Sequence, residues 1–463
     1  MLARNIIDRS PFELLTPLDY NQGAPVLFLL FVETITNLFG SSELALRLIP
    51  LLSSLIGLAI FFLVARFFLE TRYIPIALFL FAFSPELVYY AQELKQYSVD
   101  VTIVIALSYY FLRVTNSNAP RKIDLICLGV LGSLSTFLSH PSIFVIASIA
   151  STLIVLKFYN RQSIPLSCLS LIFSSWIISF GVNYIFFLKP LSMNKDLFNY
   201  WDSGFLPLPT SADALIVWYK TASNFLSFST LPAQFHGVVL VLVLAAVALA
   251  SGIRNKSAPM LMSAMCFFFA IGCSIAGKYP FSGRLALYAI PLLILIVVRG
   301  LQAISDGKSV VVYCIMTTAL IFPSFMSLPN IALHPIQKEE VRPLLEYVNS
   351  NRKSGDHVYV YYGASHAINY YLRNDTQNRN SGFWHFGRFS RNDRTGYIED
   401  IHAMRKWPRV WFIFSHLYWD EEDFFIAYTD GILLDKKTEH GASLYLYQFR
   451  QSVPKMEAQT RVR

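Results

Sequence analysis

The sequence predicts a polytopic α-helical membrane protein that ends in a small α/β domain. Three observations carry this. Hydrophobic residues make up 54% of the 463 positions and charged residues only 15%, against roughly 25% charged in soluble proteins, and the mean hydropathy is +0.45. Apolar runs of bilayer-crossing length recur as far as Met326. From about Ser327 the composition turns mixed, and strand-like and helix-like patterns alternate.

Residues 1–23 are amphipathic and end in Asp19-Tyr20-Asn21-Gln22-Gly23. No cleavable signal peptide is visible, because Arg4, Asp8 and Arg9 follow Met1 closely. Ala24–Phe39 is apolar but contains Glu33 and is short of the roughly 20 residues a span needs, so it reads as a helix lying in the membrane interface. Ten runs are then expected to span: Leu44–Ala65, Ile74–Tyr89, Val99–Leu112, Ile123–Ser139, Ser142–Leu156, Pro165–Leu188, His236–Ser251, Ala258–Ala276, Leu285–Val298 and Ser309–Met326.

Charge sets the orientation. One set of connections holds Arg66 and Arg72; Arg113, Arg121 and Lys122; Lys157 and Arg161; Arg254 and Lys256; Arg299 and Lys308. The opposite set holds Lys95, the polar residues of short loops and lysines scattered through a long loop from Lys189 to Phe235. The positive-inside rule makes the first set cytoplasmic. The segment 1–43, the hairpin Ser84–Asp100, the long loop and the turn Gly277–Arg284 then share the extracytoplasmic face, where His140-Pro141 also emerges. The net charge of +8 suits cytoplasmic loops and anionic membrane lipids. The cations are dispersed rather than patched, which argues against nucleic acid. All five cysteines (Cys127, Cys168, Cys266, Cys273, Cys314) sit in apolar runs and read as packing residues.

The expected domains are an external juxtamembrane segment 1–43, a transmembrane module 44–326, an extracytoplasmic α/β domain 327–449 and a disordered tail 450–463. In the α/β domain, helical spacing covers Lys338–Asn351 and Ala364–Leu372, and a further helix starts near Asp420. Strand patterns cover His357–Tyr362, Val410–Phe414, Ile432–Leu434 and Ser443–Phe449, and Asn374–Arg394 reads as a polar loop. Gly363-Ala364-Ser365 stands at a strand-to-helix turn, a place where anions can sit.

Ionisable groups caught between apolar runs are costly, so a functional role is the default for the hairpin SPELVYYAQELKQYSVD. The shared face holds the parts of a transferase. Glu93 and Asp100 are candidate carboxylates for taking a proton from an attacking hydroxyl. Arg284, Lys278 and Lys95 are candidate cations for an anionic leaving group, Arg284 foremost because its planar fork matches two phosphate oxygens. Tyr90, Tyr97, Tyr279 and Phe281 offer rings to stack on a sugar or line a lipid tail. Plainer readings stand beside these. Arg284 and Lys278 anchor helix ends at headgroups, Asp100 complements a helix dipole, and His140-Pro141 ends a helix. No spacing is a metal signature, although a divalent metal is compatible with the chemistry.

Phe39-Gly40-Ser41-Ser42-Glu43-Leu44-Ala45-Leu46-Arg47-Leu48 resembles the FG-x-x-E-x-x-x-R-L segment that enters the second span of GT-C glycosyltransferases. The nearest branch is the one with protein O-mannosyltransferases and the lipid A aminoarabinose transferase. Ser84-Pro85 through Asp100 is similar to that branch's S-P…Y-A-x-E-x-[RK]-x-Y-S hairpin. Tyr279-Pro280-Phe281 with Arg284 and Pro291 resembles its Y-P-F-x-x-R…P element. The resemblance covers about residues 1–326. It implies transfer of a sugar from a polyprenyl-phosphate donor to a lipid, glycan or protein acceptor at the outer face of the cell's inner membrane. Asp100 stands near the family's second acidic position. The resemblance also implies a first span and an Asp-Glu pair ahead of the residue numbered Met1, with Asp8, Glu13 and Asp19 the acids in the loop as given. The expectation is a start recorded too late; otherwise the chain is an inactive member acting as a binding or assembly subunit. A secondary transporter is the rival from another class, but the halves show no repeat and the spans are nearly free of charge.

Overall fold

The computed structural model describes residues 1–117, 119–159, 163–229, 231–333, 338–373 and 382–450. It divides into two compact units, Leu2–Pro335 and Ile336–Arg463.

In the first unit the N-terminal segment forms α1 (Leu2–Asp8) and α2 (Val26–Phe39). Fourteen residues make α2 about 21 Å long, shorter than a bilayer core. Each of the ten expected runs is helical. In order they give α3 (Glu43–Phe68), α4 (Ile74–Ala82) with α5 (Pro85–Ala91), α6 (Tyr97–Thr115), α7 (Lys122–Leu138), α8 (Ser142–Phe158) and α9 (Leu166–Asn183). The short α10 (Lys189–Ser192) and α11 (Lys195–Tyr200) follow, then α12 (Ala212–Phe228), α13 (Phe235–Arg254), α14 (Ala258–Ile275), α15 (Ile290–Ser305) and α16 (Val310–Leu333).

Among the described residues seven helices are long and apolar enough to cross a membrane, eight if a bent pair counts as one. That pair corrects one expectation. Ile74–Tyr89 is broken at Ser84-Pro85, where α4 and α5 meet at 58°, because proline removes a donor and displaces the residue before it from helical geometry. The runs of α7 and α8 form helices of 17 residues each. Within the long loop the sequence reading missed α12, an amphipathic helix begun by a Ser211 cap that accepts from Ala214 N–H.

Packing centres on α6 and α15, which are buried nearly all round, as expected of helices surrounded by other helices. Gly300 of α15 lies where a Cβ would overlap the Leu244 carbonyl of α13, so the two backbones touch. At the opposite end of the bundle from the hairpin, three cations of the first connection set are tied down. Arg113 and Arg121 share the buried Asp124, at 2.9 and 3.0 Å, and Arg72 pairs with Asp306.

The second unit is a five-stranded sheet of order β2-β1-β3-β5-β4, with β1 His357–Val360, β2 Trp384–Phe386, β3 Arg409–Ser415, β4 Ile432–Glu439 and β5 Ala442–Gln448. The strands β2, β1 and β3 are parallel, whereas β5 and β4 are antiparallel. The partly parallel sheet matches expectation, but β2 corrects the polar-loop reading of Asn374–Arg394. Residues 374–381 of that loop, and all but the first residue of the expected tail 450–463, lie outside the described residues.

The helices α17 (Val341–Asn351) and α18 (Ser365–Leu372) cover one face of the sheet. There Val358, Val360, Trp411, Ile413, Leu444 and Leu446 form the core. The helices α19 (Thr395–Met404) and α20 (Glu421–Tyr428) cover the other face over Tyr359, Tyr361, Phe412, Phe414 and Tyr445. Alternation along β1, β3 and β5 produces these two cores, since successive side chains point to opposite faces.

Candidate active site

The hairpin folds as α5, a bend over Gln92–Gln96 and the first turn of α6. The four features assigned to one face by charge meet here. Ser84 Oγ donates to the Phe228 carbonyl at 2.8 Å, and Lys95 Nζ donates to Gln22 Oε1 at 2.8 Å. Asn21 bridges to the long loop through Asp196 and Asn194, at 3.3 and 3.0 Å. Ser274 Oγ accepts from both Leu206 N–H and Phe281 N–H, at 3.0 and 3.2 Å. It thereby joins the long loop to the Gly277–Arg284 turn.

Arg284 stands where these elements converge, in the 3-10 turn Gly283–Ala289 that leads into α15. Its guanidinium lies 5.2 Å over the Trp201 ring and faces the hydroxyls of Tyr90, Tyr97 and Tyr200. Nε is buried without a hydrogen-bond partner, and among the described residues no carboxylate pairs with the group. A half-buried guanidinium with tyrosines for neighbours and no counter-ion is a standing attraction for an anion.

Asp100 is 4% exposed in the first turn of α6. Ser139 is its neighbour, yet neither Asp100 Oδ1 nor Ser139 Oγ completes a hydrogen bond. The other buried polar atoms left without partners at this end belong to Gln96, to both ring nitrogens of His140 and to Tyr288. Buried polar groups are ordinarily satisfied, so a group of unsatisfied ones marks this end of the bundle as the candidate site.

The remaining expected residues divide. Tyr90 and Tyr97 pack edge to face at 4.8 Å, and Tyr89 packs on Tyr90 at 4.9 Å. Glu93 is not beside Asp100: it accepts from the Tyr89 hydroxyl at 3.2 Å, at the far end of this row of rings. Tyr279 donates to the Leu285 carbonyl at 3.1 Å and meets Phe144 at 5.2 Å. Phe281 is buried against Phe225 at 5.2 Å, a packing residue rather than an open platform. Lys278 is exposed and Lys95 donates to Gln22, whereas Arg284 sits among the tyrosines. The N-terminal acids have partners of their own: Asp8 pairs with Arg4, Asp19 with Arg9, and Glu13 accepts from Ser10.

Sequence reasoning missed Trp201, Tyr200 and Tyr288. The first two lie in the long loop and reach the site only through tertiary contacts; their sole signal was an adjacent aromatic pair in a polar stretch. Among the described residues no group of three or more His, Cys, Asp or Glu side chains could hold a metal ion.

The sequence model of the dolichyl-phosphate-mannose-protein mannosyltransferase family matches residues 23–180, a stretch that includes α2, α3 and the hairpin. No curated protein matches in sequence. Among solved structures, ArnT from Cupriavidus metallidurans bound to undecaprenyl phosphate superposes with a TM-score of 0.51 at 10% identity, over 96% of this chain and 92% of that one. The oligosaccharyltransferase of Archaeoglobus fulgidus aligns more loosely, with a TM-score of 0.47 at 14% identity over 80% of this chain and 56% of that one. Through its fold, and through the sequence pattern of residues 23–180, the chain resembles the GT-C superfamily of membrane glycosyltransferases.

Proposed function

We propose that the protein is an integral-membrane glycosyltransferase that moves a sugar from a polyprenyl-phosphate donor to an acceptor on the extracytoplasmic face. On this reading it sits in the inner membrane, with the α/β unit on that same side. The observation that carries the reading is Arg284, a half-buried guanidinium among aromatic rings with no carboxylate partner among the described residues. The family match over residues 23–180 and the fold shared with a protein bound to undecaprenyl phosphate support the same chemistry.

In the reaction an acceptor hydroxyl attacks the anomeric carbon. The new C–O bond forms as the bond to the phosphate oxygen breaks, and the electron pair leaves with the lipid phosphate. Asp100 takes the proton released by the acceptor, with Glu93 at the outer end of the tyrosine row as the second candidate. Arg284 stabilises charge on the departing phosphate, with Lys278 and Lys95 nearer the rim. Tyr90 and Tyr97 orient the Arg284 fork. A single displacement of this kind inverts the anomeric centre.

The test compares thermal unfolding of the full chain with undecaprenyl phosphate and with undecaprenol, which lacks the phosphate. Binding at 100 times Kd contributes about 2.7 kcal/mol. The expected result is a rise in Tm with the phosphate alone, abolished by Arg284→Ala. An equal rise with undecaprenol, or none with either, overturns the reading. An inactive binding member would keep the phosphate-dependent rise, yet Asp100→Asn would leave the glycosylation of membrane lipids and surface glycans unchanged by mass spectrometry.

A further inference from the structure

The sheet of the α/β unit has a topological switch point that the transfer reaction leaves unused. The connection from β1 to β2 passes through α18 on one face of the sheet, and that from β2 to β3 passes through α19 on the other. Crossovers running in opposite directions keep the same hand only if they lie on opposite faces. The neighbouring parallel strands β1 and β3 therefore send their chains apart, β1 into α18 and β3 into α20. Such a switch point, at the carboxyl ends of parallel strands, is where open α/β sheets bind ligands. Gly363 lets the β1 loop pack directly on the end of β3: a Cβ there would stand 2.7 Å from the Ser415 carbonyl.

The surrounding loops are aromatic. Tyr362 comes from the β1 loop, Phe389 and Arg391 from the β2 loop, and Tyr418 and Trp419 from the β3 loop. Tyr362 meets Phe389 at 5.0 Å, and the Arg391 guanidinium lies 4.0 Å over Tyr418 and 5.2 Å over Tyr362. Trp419 is 90% exposed and Phe389 63%, an unusual outlay of ring surface for a small domain. Arg394, His416 and Trp419 hold left-handed backbone at φ 61, 56 and 52°, strain of the kind that gathers at binding sites. Ser415 Oγ, at the end of β3, is buried without a partner.

The charges decide the ligand class. Arg391 pairs with Glu421 at 3.0 Å, Arg394 with Asp420 at 2.6 Å and His416 with Glu339 at 2.5 Å. The Glu421 side chain is 1% exposed, so an anion drawing Arg391 away would strand a buried carboxylate. The turn at Gly363-Ala364-Ser365 offers no anion nest either, because Ala364 and Ser365 N–H already donate to the Tyr361 and Tyr362 carbonyls, at 2.9 and 3.2 Å. Arg391 already covers the Tyr362 and Tyr418 faces, so what remains is the exposed rings of Phe389 and Trp419 with polar groups around them, the recognition chemistry of a neutral, polyhydroxylated ligand with an apolar ring face. We infer that this switch-point surface is a saccharide-binding site.

The test is saturation-transfer difference NMR on the full chain in lipid nanodiscs with mannotriose, maltotriose and chitotriose, and phosphorus line widths with inorganic phosphate. The expected result is transfer to ring C–H protons of at least one sugar, reduced at least 5-fold by Trp419→Ala and by Phe389→Ala. Both side chains are exposed, so an unchanged Tm is expected to show the fold intact. Absence of transfer to all three sugars overturns the inference. So does transfer that both variants leave unchanged, or line broadening by phosphate in place of sugar contact. The readout is binding at a Trp419-dependent site, which stands or falls apart from the transfer reaction.

Discussion

At Asp100 the cost of holding a charge and its proposed use come apart in a measurable way. A carboxylate 4% exposed with an unpartnered oxygen destabilises the fold that contains it, and such groups persist where function requires them. Asp100→Asn is therefore expected to leave Tm unchanged or raised while lowering transfer by 10²-fold or more. Equal loss of Tm and transfer would make the residue structural. Glu421 is the contrasting case: equally buried, but satisfied by Arg391, by Tyr397 OH at 3.1 Å and by Tyr418 N–H at 2.9 Å. Glu421→Gln removes one partner of a buried pair and is expected to cost about 3–5 kcal/mol, read as lost hydrogen-exchange protection in β1 and β3. The sequence carried Asp100 and Arg284 because each sits in a short motif between apolar runs. It did not carry Trp201, which lies 83 positions from Arg284 and meets it only after the long loop folds back.

Elements were legible where their period was long and blurred where they were short. All ten apolar runs proved helical because 14 or more residues of one character leave little choice. The three residues of β2 could not be told from loop, since its assignment rests on parallel pairing with β1 and not on local pattern. That pairing stacks His357 on His385 with Trp407 against both rings, at 4.0 and 4.1 Å. Burial first, then the nearby His357 and Lys406, push the His385 imidazole down to about 4, from an ordinary value of about 6.5.

His385 is thus neutral when folded, while the unfolded chain takes up its proton below about pH 6.5. Stability from this pair is full above that value and falls as pH drops toward 4. Asp356 acts later. Burial alone would raise its carboxyl, but hydrogen bonds from Arg409, Lys353 N–H and Trp411 outweigh that and hold it below the ordinary value. Its share is lost only below about pH 3.9. Exchange protection of β1 and β2, corrected for intrinsic rates, is expected to fall between pH 6.5 and 4, and His385→Phe is expected to reduce that fall, leaving the share of His357, whose imidazole burial also pushes down. At the bundle's centre, Gly300→Leu must push α15 off the Leu244 carbonyl and is expected to lower Tm by several degrees, whereas Gly272→Leu, with no atom near its Cβ position, leaves Tm in place.

For the whole molecule, the distribution of cations sets an orientation that can be read experimentally. The hairpin, the N-terminal segment and the long loop meet at one end of the bundle, while Arg72, Arg113 and Arg121 are tied to Asp306 and Asp124 at the other. A cation left on the trans side during insertion is resisted, and the proposed orientation therefore keeps the end rich in arginine cytoplasmic. On the proposed orientation the opposite end would face outward, with Asp100 and with Arg284, which pairs with no carboxylate among the described residues, where a lipid-linked sugar and an external acceptor would meet. Single cysteines placed in a background without the five native ones discriminate the two ends. Asp202→Cys, exposed in the long loop, is expected to react with a membrane-impermeant maleimide on intact cells. Ser117→Cys and Asn255→Cys, exposed at the arginine-rich end, are expected to react only after the membrane is opened. The reverse pattern would put the candidate site in the cytoplasm and remove the ground for an extracytoplasmic acceptor. Labelling of all three from outside would mean that the two ends do not lie on opposite sides of the membrane, and the charge argument would fail with them.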